Sequence, residues 1–311
     1  MQTNTDQAVY TEQDKAVGLL ASLKTFPLPP ESFDPLKATD ATLKHYGVHR
    51  RPDAGKHPML AKRWEQFYSQ KVQFIQPYFQ QGPGLVESDG MPPLFHVRFW
   101  SGSVVETTAD DPIWFVYGRF NIPHVIKHDL SITNSDFCDT WLGVGGYRAE
   151  KFCRVGVRQT APSIGGPGYV LFMEWANNYL TINNFPVAAG DEITILLCVN
   201  PTPDVPAYFT ITNENAVNRA QTNFYFREYG MPVNHQSAEW IVSRPPYIEE
   251  GTVEPQPVRY GQIEFEDAFA YTVNATLHNI GSGTLLTYTD FGSPASTPEV
   301  VTDTQLRLTS F

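Results

Sequence analysis

The sequence predicts an all-β protein, an antiparallel β-sandwich preceded by a short α-helical extension. Three observations carry this. From Leu94 onward, short alternating or apolar segments are separated by turn signals at close spacing. The composition, with 25 Pro, 22 Gly, 15 Tyr and 20 Phe, favours strands joined by many turns. No segment repeats at a fixed period, which argues against a solenoid or propeller. Residues 1–92 read as a leader and residues 93–311 as the sandwich.

In the leader, residues 1–24 are polar apart from Ala16-Val17-Gly18-Leu19-Leu20. Phe26-Pro27-Leu28-Pro29-Pro30 is expected to be extended, because proline fixes φ and restricts the residue before it. Thr39 suits the N-cap of a short helix reaching His45 or Tyr46 and closed by Gly47. Arg51-Pro52-Asp53 is a turn. A second helix is expected over residues 58–73, with Leu60, Trp64, Phe67 and Tyr68 on one stripe. Gln80-Gln81-Gly82-Pro83-Gly84 and Pro92-Pro93 form a linker.

Strands are then expected at 96–105, 113–120, 139–144, 153–159, 168–175, 192–199, 206–212, 222–227, 237–242, 260–264, 267–273 and 304–310. Gly165-Gly166-Pro167-Gly168, Ala189-Gly190-Asp191 and Pro201-Thr202-Pro203-Asp204 supply turns between them.

A formal charge of −11, without a basic patch, argues against a nucleic-acid partner. No stretch approaches the ~20 apolar residues of a membrane span, and no secretory signal is visible; the compartment is left open. A monomer is expected. Cys138 and Cys153 flank the Trp141 segment and are able to pair in an oxidising compartment, the alternative being three buried thiols with Cys198. His45 and His49, like His124 and His128, have helical metal spacing but lack an H-E-x-x-H, so no metal and no cofactor is expected. No G-x-S-x-G, P-loop or G-x-G-x-x-G occurs.

The candidate chemistry lies in two polar residues within β-like segments. Val155, Val157 and Gln159 point to one face of an alternating strand, so an amide stands where an apolar side chain belongs. Glu239 interrupts Ser237-Ala238-Glu239-Trp240-Ile241-Val242. A polar group on a half-buried face is unfavourable unless hydrogen-bonded or used. Taken alone, each is equally an ordinary strand residue. Together, a titrating carboxylate and a permanent amide donor suit activation of water and stabilisation of an oxyanion. Glu174 interrupts Val170-Leu171-Phe172-Met173-Glu174-Trp175, where burial would raise its pKa.

The segments around these residues resemble one family in order. They are Trp100-Ser101-Gly102-Ser103-Val104, Trp141-Leu142-Gly143-Val144, Gln159-Thr160, Phe172-Met173-Glu174-Trp175, Ala189-Gly190-Asp191-Glu192-Ile193 and Ala238-Glu239-Trp240-Ile241. The chain is similar in these to the eqolisins, the glutamic peptidases, and its leader resembles that of bacterial-type relatives. The resemblance implies two bent, concanavalin-like antiparallel sheets and an acid-acting glutamic endopeptidase with polypeptide substrates. It implies Glu239 as general base and then acid, Gln159 as electrophilic partner, and Trp100, Trp141, Glu174 and Trp175 in the substrate cleft. For Glu174 a structural hydrogen-bond role stands beside the catalytic one.

Two departures bear on the pH range. Gly145 stands where fungal eqolisins have an aspartate, which is expected to move the optimum away from very low pH. Ser243 precedes Arg244-Pro245 where the family has an acid, so Arg244 is expected to lower the pKa of Glu239 by attraction. The leader either covers the cleft as a propeptide or packs as permanent architecture. Rival functions are a carbohydrate-binding sandwich and a glycosidase using Glu174 and Glu239.

Overall fold

In a computed structural model, the described residues are 19–56, 58–82, 95–128, 134–149, 151–202, 205–215, 219–226, 232–244, 257–290 and 293–311. The leader contains β1 (Lys24–Thr25), α1 (Asp40–His45), α2 (Pro58–Tyr68), β2 (Gln73–Phe74) and β3 (Phe79–Gln81). The body begins with β4 (Trp100–Glu106), β5 (Ile113–Asn121), β6 (Ser135–Val144) and β7 (Cys153–Pro162). It continues through β8 (Gly168–Trp175), β9 (Asn178–Ile182), β10 (Glu192–Cys198), β11 (Ala207–Asn213), β12 (Ala220–Phe226) and β13 (Ser237–Ser243). The last strands are β14 (Gln262–Thr272), β15 (Leu277–Asn279), β16 (Thr284–Leu286), β17 (Tyr288–Asp290), β18 (Ser293–Thr302) and β19 (Gln305–Ser310).

These strands make two sheets. The larger runs β1-β12-β11-β10-β5-β14-β19-β18-β17, with β15 and β2 attached; the smaller runs β16-β4-β13-β6-β7-β8-β9-β3. Between them lies the main core. The smaller sheet contributes Leu142, Val144, Val155, Val157, Leu171, Met173, Ala238 and Trp240; the larger contributes Val116, Phe120, Ile195, Leu197, Phe209, Ile211 and Phe265. Trp240 Nε1 donates to Tyr117 O at 3.0 Å, tying one sheet to the other. The predicted sandwich is therefore what forms.

The outer face of the smaller sheet is also buried. Trp100, Val104, Trp141, Phe152, Phe172, Tyr179 and Ile241 form a second cluster there. Both faces of this sheet consequently look apolar in sequence.

Differences from the expected elements have local causes. The segments expected at 260–264 and 267–273 form one strand, β14, with a bulge beside Asp267 (φ 50°). β9 follows β8 through Ala176 and Asn177, both at positive φ (46° and 71°), a tight hairpin without glycine. The second helix stops at Tyr68 because the chain then pairs as β2 alongside β12. α1 begins as expected, with Thr39 Oγ1 accepting from Thr42 N at 3.2 Å. His124 and His128 flank an isolated bridge at Ile126 rather than a helix turn. All three cysteines are free thiols.

Of the described leader, β1 and β2 join the larger sheet beside β12 and β3 joins the smaller sheet beside β9, while α2 packs on the outer face of the larger sheet. Leu43, Val48, Trp64 and Tyr68 form a small cluster of their own. Tyr68 Oη donates to Gln221 Oε1 at 2.7 Å, Arg219 Nη1 donates to Phe67 O at 2.9 Å, and Arg63 pairs with Asp267. A cleft of about 440 Å³ remains between α2 and that sheet, lined by Leu60, Trp64, Phe67, Tyr117 and Thr212 among others.

Candidate active site

Glu239 lies mid-strand in β13 and is fully buried. Its neighbours Ala238 and Trp240 point into the main core, so Glu239 points with Ile241 to the outer face of the smaller sheet. There Oε1 accepts from Ser237 Oγ at 2.5 Å and from the Tyr147 backbone N–H at 3.1 Å. Ser237 stands two residues earlier, on the same face. Tyr147 is delivered by the turn after β6, whose Gly145 has φ 89° and lies so close to Asn234 that a Cβ would fall 1.8 Å from its carbonyl oxygen. No side chain fits at 145, which explains why an acidic residue is missing from this turn. Oε2 of Glu239 has no hydrogen-bond partner among the described residues. Burial pushes the carboxyl up to about 7, against hydrogen bonds from Ser237 and the 145–147 backbone that pull it down. Thus the expected lowering by Arg244 is not what dominates; desolvation does. Arg244 stacks over Phe99 at 4.4 Å.

Strand pairing sets what stands beside Glu239. Glu239 is opposite Gly143 on β6, Gly143 is opposite Arg154 on β7, and Arg154 is opposite Glu174 on β8. Directly opposed residues share a face, so these four form a row across the sheet. Arg154 is 2% exposed and Glu174 fully buried. Arg154 Nε donates to Glu174 Oε2 at 2.6 Å, and Nη2 stands 2.5 Å from the same oxygen. Its Nη1 is 3.8 Å from Asp139 Oδ2. The guanidinium lies over Trp141, Phe152 and Phe172 at 5.3, 5.6 and 5.3 Å. Trp100 and Trp141 meet edge to face at 4.8 Å, and Phe152 closes over both.

Gln159 is not in this row. It alternates with Val155 and Val157 and faces the main core, on the opposite side of the sheet from Glu239. Its Nε2 donates to Thr140 Oγ1 at 2.7 Å and its Oε1 accepts from Cys138 Sγ at 3.3 Å. Trp175 also points into the main core, edge-on to Phe226 at 4.4 Å. The outer face of the smaller sheet therefore holds Glu239, Glu174, Trp100 and Trp141, and Gln159 and Trp175 lie behind the sheet. Arg154 is the residue that sequence reasoning passed over. Its signal was the strict alternation itself, which sets Arg154 opposite in face to Gln159.

Among the described residues no cluster of His, Cys, Asp or Glu has metal-holding geometry, and no helix is long and apolar enough to cross a membrane. A family model of the peptidase A4 family matches residues 98–309. The chain belongs to the peptidase A4 family. This A4 member is accordingly a glutamic endopeptidase by class. Its fold is similar to the crystal structure of scytalido-glutamic peptidase with a transition state analog inhibitor. That likeness has a TM-score of 0.55 at 13% identity, covering 68% of this chain and 98% of that one. It is likewise similar to SCP-B, a member of the eqolisin family solved in complex with the tripeptide Ala-Ile-His, with a TM-score of 0.52 at 15% identity and the same coverage. A search of curated proteins finds no match.

Proposed function

We propose that Glu239 is the general base and then the general acid of peptide-bond hydrolysis on the outer face of the smaller sheet. The observation that carries this is the asymmetry of its carboxyl group. One oxygen is anchored by Ser237 and Tyr147, and the other is buried without a partner, facing the side-chain-free position of Gly143. A fixed, desolvated carboxylate with one open oxygen is suited to take a proton from water and return it to the leaving amine. Trp100 and Trp141, on the same face, supply apolar walls for an extended polypeptide. Because burial pushes Glu239 up to about 7, its basic form accumulates towards neutral pH rather than in strong acid.

The glycosidase reading loses support. Glu174 lies three strands from Glu239 in the smaller sheet. Arg154 also stands between the two and holds Glu174. Digestion of an unfolded protein substrate across pH ~3–9 tests the proposal. Glu239→Gln should lower kcat by ~10²–10⁴ while the fold persists. A loss under about tenfold refutes the assignment, and absence of any turnover by the wild type favours a binding sandwich.

A further inference from the structure

We infer that Arg154 stabilises the oxyanion in this enzyme, a guanidinium doing what the sequence assigned to the Gln159 amide. The inference rests on Glu239 being the base and goes beyond it by naming the second catalytic group. Three observations converge. First, Arg154 is two strand spacings from Glu239, about 10 Å between backbone positions, and the residue between them is Gly143. A Cβ at 143 would lie 2.6 Å from the Trp141 ring, 2.9 Å from Cys153 O and 3.1 Å from Glu239 Oε2. The space over Gly143 is thus filled by these groups, and only a residue without a side chain lets Glu239 and Arg154 share the row across it.

Second, three buried polar atoms without a hydrogen-bond partner among the described residues lie along this row and its continuation onto β9. Glu239 Oε2, Glu174 Oε1 and Tyr179 Oη fall in that class, and Tyr179 is the residue opposite Glu174 on β9. Orphaned buried polar atoms are few in folded proteins, and several in one line mark a place built for a polar guest. Third, Arg154 is held firmly enough to act without reorganising. Glu174 grips its Nε edge, and the rings of Trp141, Phe152 and Phe172 fix its plane. A preoriented donor in a buried, low-dielectric site is worth far more than the same donor in solvent.

The chemistry balances with water alone. Glu239 Oε2 takes one proton of a water molecule as the water oxygen bonds to the peptide carbonyl carbon. The carbonyl π pair moves onto oxygen, and the resulting oxyanion accepts hydrogen bonds from the guanidinium. As the C–O double bond re-forms, the C–N bond breaks and the nitrogen takes the proton from Glu239, giving a carboxylic acid and an amine. Arg154 gains and loses no proton. It stays cationic throughout, because an arginine guanidinium does not titrate in the working range, whereas Glu239 must be ionised to start the cycle.

The test is steady-state cleavage of an internally quenched peptide by the full chain and five variants: Arg154→Gln, Arg154→Lys, Arg154→Gln/Glu174→Gln, Gln159→Leu and Glu239→Gln. Arg154→Gln should lower kcat ~10²–10³-fold with KM changed less than about threefold, as removal of an oxyanion donor does. Arg154→Lys should recover part of the loss, since the charge remains and the fork does not. The double variant removes both members of the buried pair and so avoids a stranded carboxylate; folded by its melting transition, it should be as slow as Arg154→Gln. Gln159→Leu should keep kcat within about threefold of wild type. A folded Arg154→Gln or double variant with kcat within threefold of wild type overturns the inference while leaving Glu239 as base. Loss of activity in Gln159→Leu with retention in Arg154→Gln returns the role to the amide. Activity of Glu239→Gln near wild type removes the underlying reading instead.

Discussion

Replacing Glu239 by Gln should stabilise the protein, and by an amount that depends on pH. The carboxyl is fully buried and its pKa rises from the ordinary 4.5 to about 7, chiefly through desolvation. Below 4.5 both the folded and unfolded chains hold the proton, so the group is neutral in the balance. Between 4.5 and 7 the unfolded chain releases it while the folded chain does not, and wild-type stability falls as pH rises. Above 7 the full penalty is in place, worth about 3 kcal/mol. A glutamine has nothing to ionise. Its other effects, such as altered hydrogen bonding to Ser237, are present at every pH and cancel in the comparison. The stability of Glu239→Gln minus that of wild type should therefore grow by about 3 kcal/mol between pH 4 and pH 8. For 311 residues this corresponds to roughly 5 °C in Tm. Thermal melts of both proteins at the two pH values measure it. A difference that stays constant, or shrinks towards pH 8, would show that Glu239 ionises near its ordinary pKa in the fold.

Three further outcomes are expected. The pH profile of kcat/KM should rise with an apparent pKa near 7, because the base must be ionised; full activity at pH 4 would contradict it. Gly143→Ala should lose activity and destabilise by about 1–3 kcal/mol through overpacking, since the added carbon meets the Trp141 ring, Cys153 O and Glu239 Oε2; an active, equally stable variant in kinetic and melting assays counts against this close packing. Removing residues 1–82 should lower Tm and leave the larger sheet prone to aggregation, because the Tyr68–Gln221 bond and the β1 and β2 pairings with β12 are lost; a truncated protein that melts like wild type and cleaves faster would favour a removable propeptide.

The sandwich was legible because Val170-Leu171-Phe172-Met173 and its like can only be strands between turns, and β8 falls where it was expected. What escaped was set by long-range pairing. Ser293 to Thr302 reads as loop, since Pro294 and Pro298 withdraw ladder donors, yet the flanking strands hold it as β18. In the site, the alternation of Val155, Val157 and Gln159 was correctly seen as one face. Sequence could not tell which face, because the smaller sheet is buried on both sides and apolar residues appear on each. Only the pairing of Arg154 with Glu174 and Gly143 distinguishes them.

The row from Glu239 to Glu174 also makes the chemistry a matter of parity. Four strands each donate one residue to a single line, and each residue is there only because its strand is in step with its neighbours. Slipping β7 by one position against β6 and β8 would carry Arg154 into the main core and bring an apolar residue to the line. An ionised guanidinium among Leu142, Val144 and Met173 is untenable, so such a slip would unfold the sandwich rather than yield a folded, inactive protein. Insertions in the turn between β6 and β7 can lengthen the chain without touching this parity. Insertions inside the four strands cannot, and the reacting groups thereby enforce the register of the sheet that displays them.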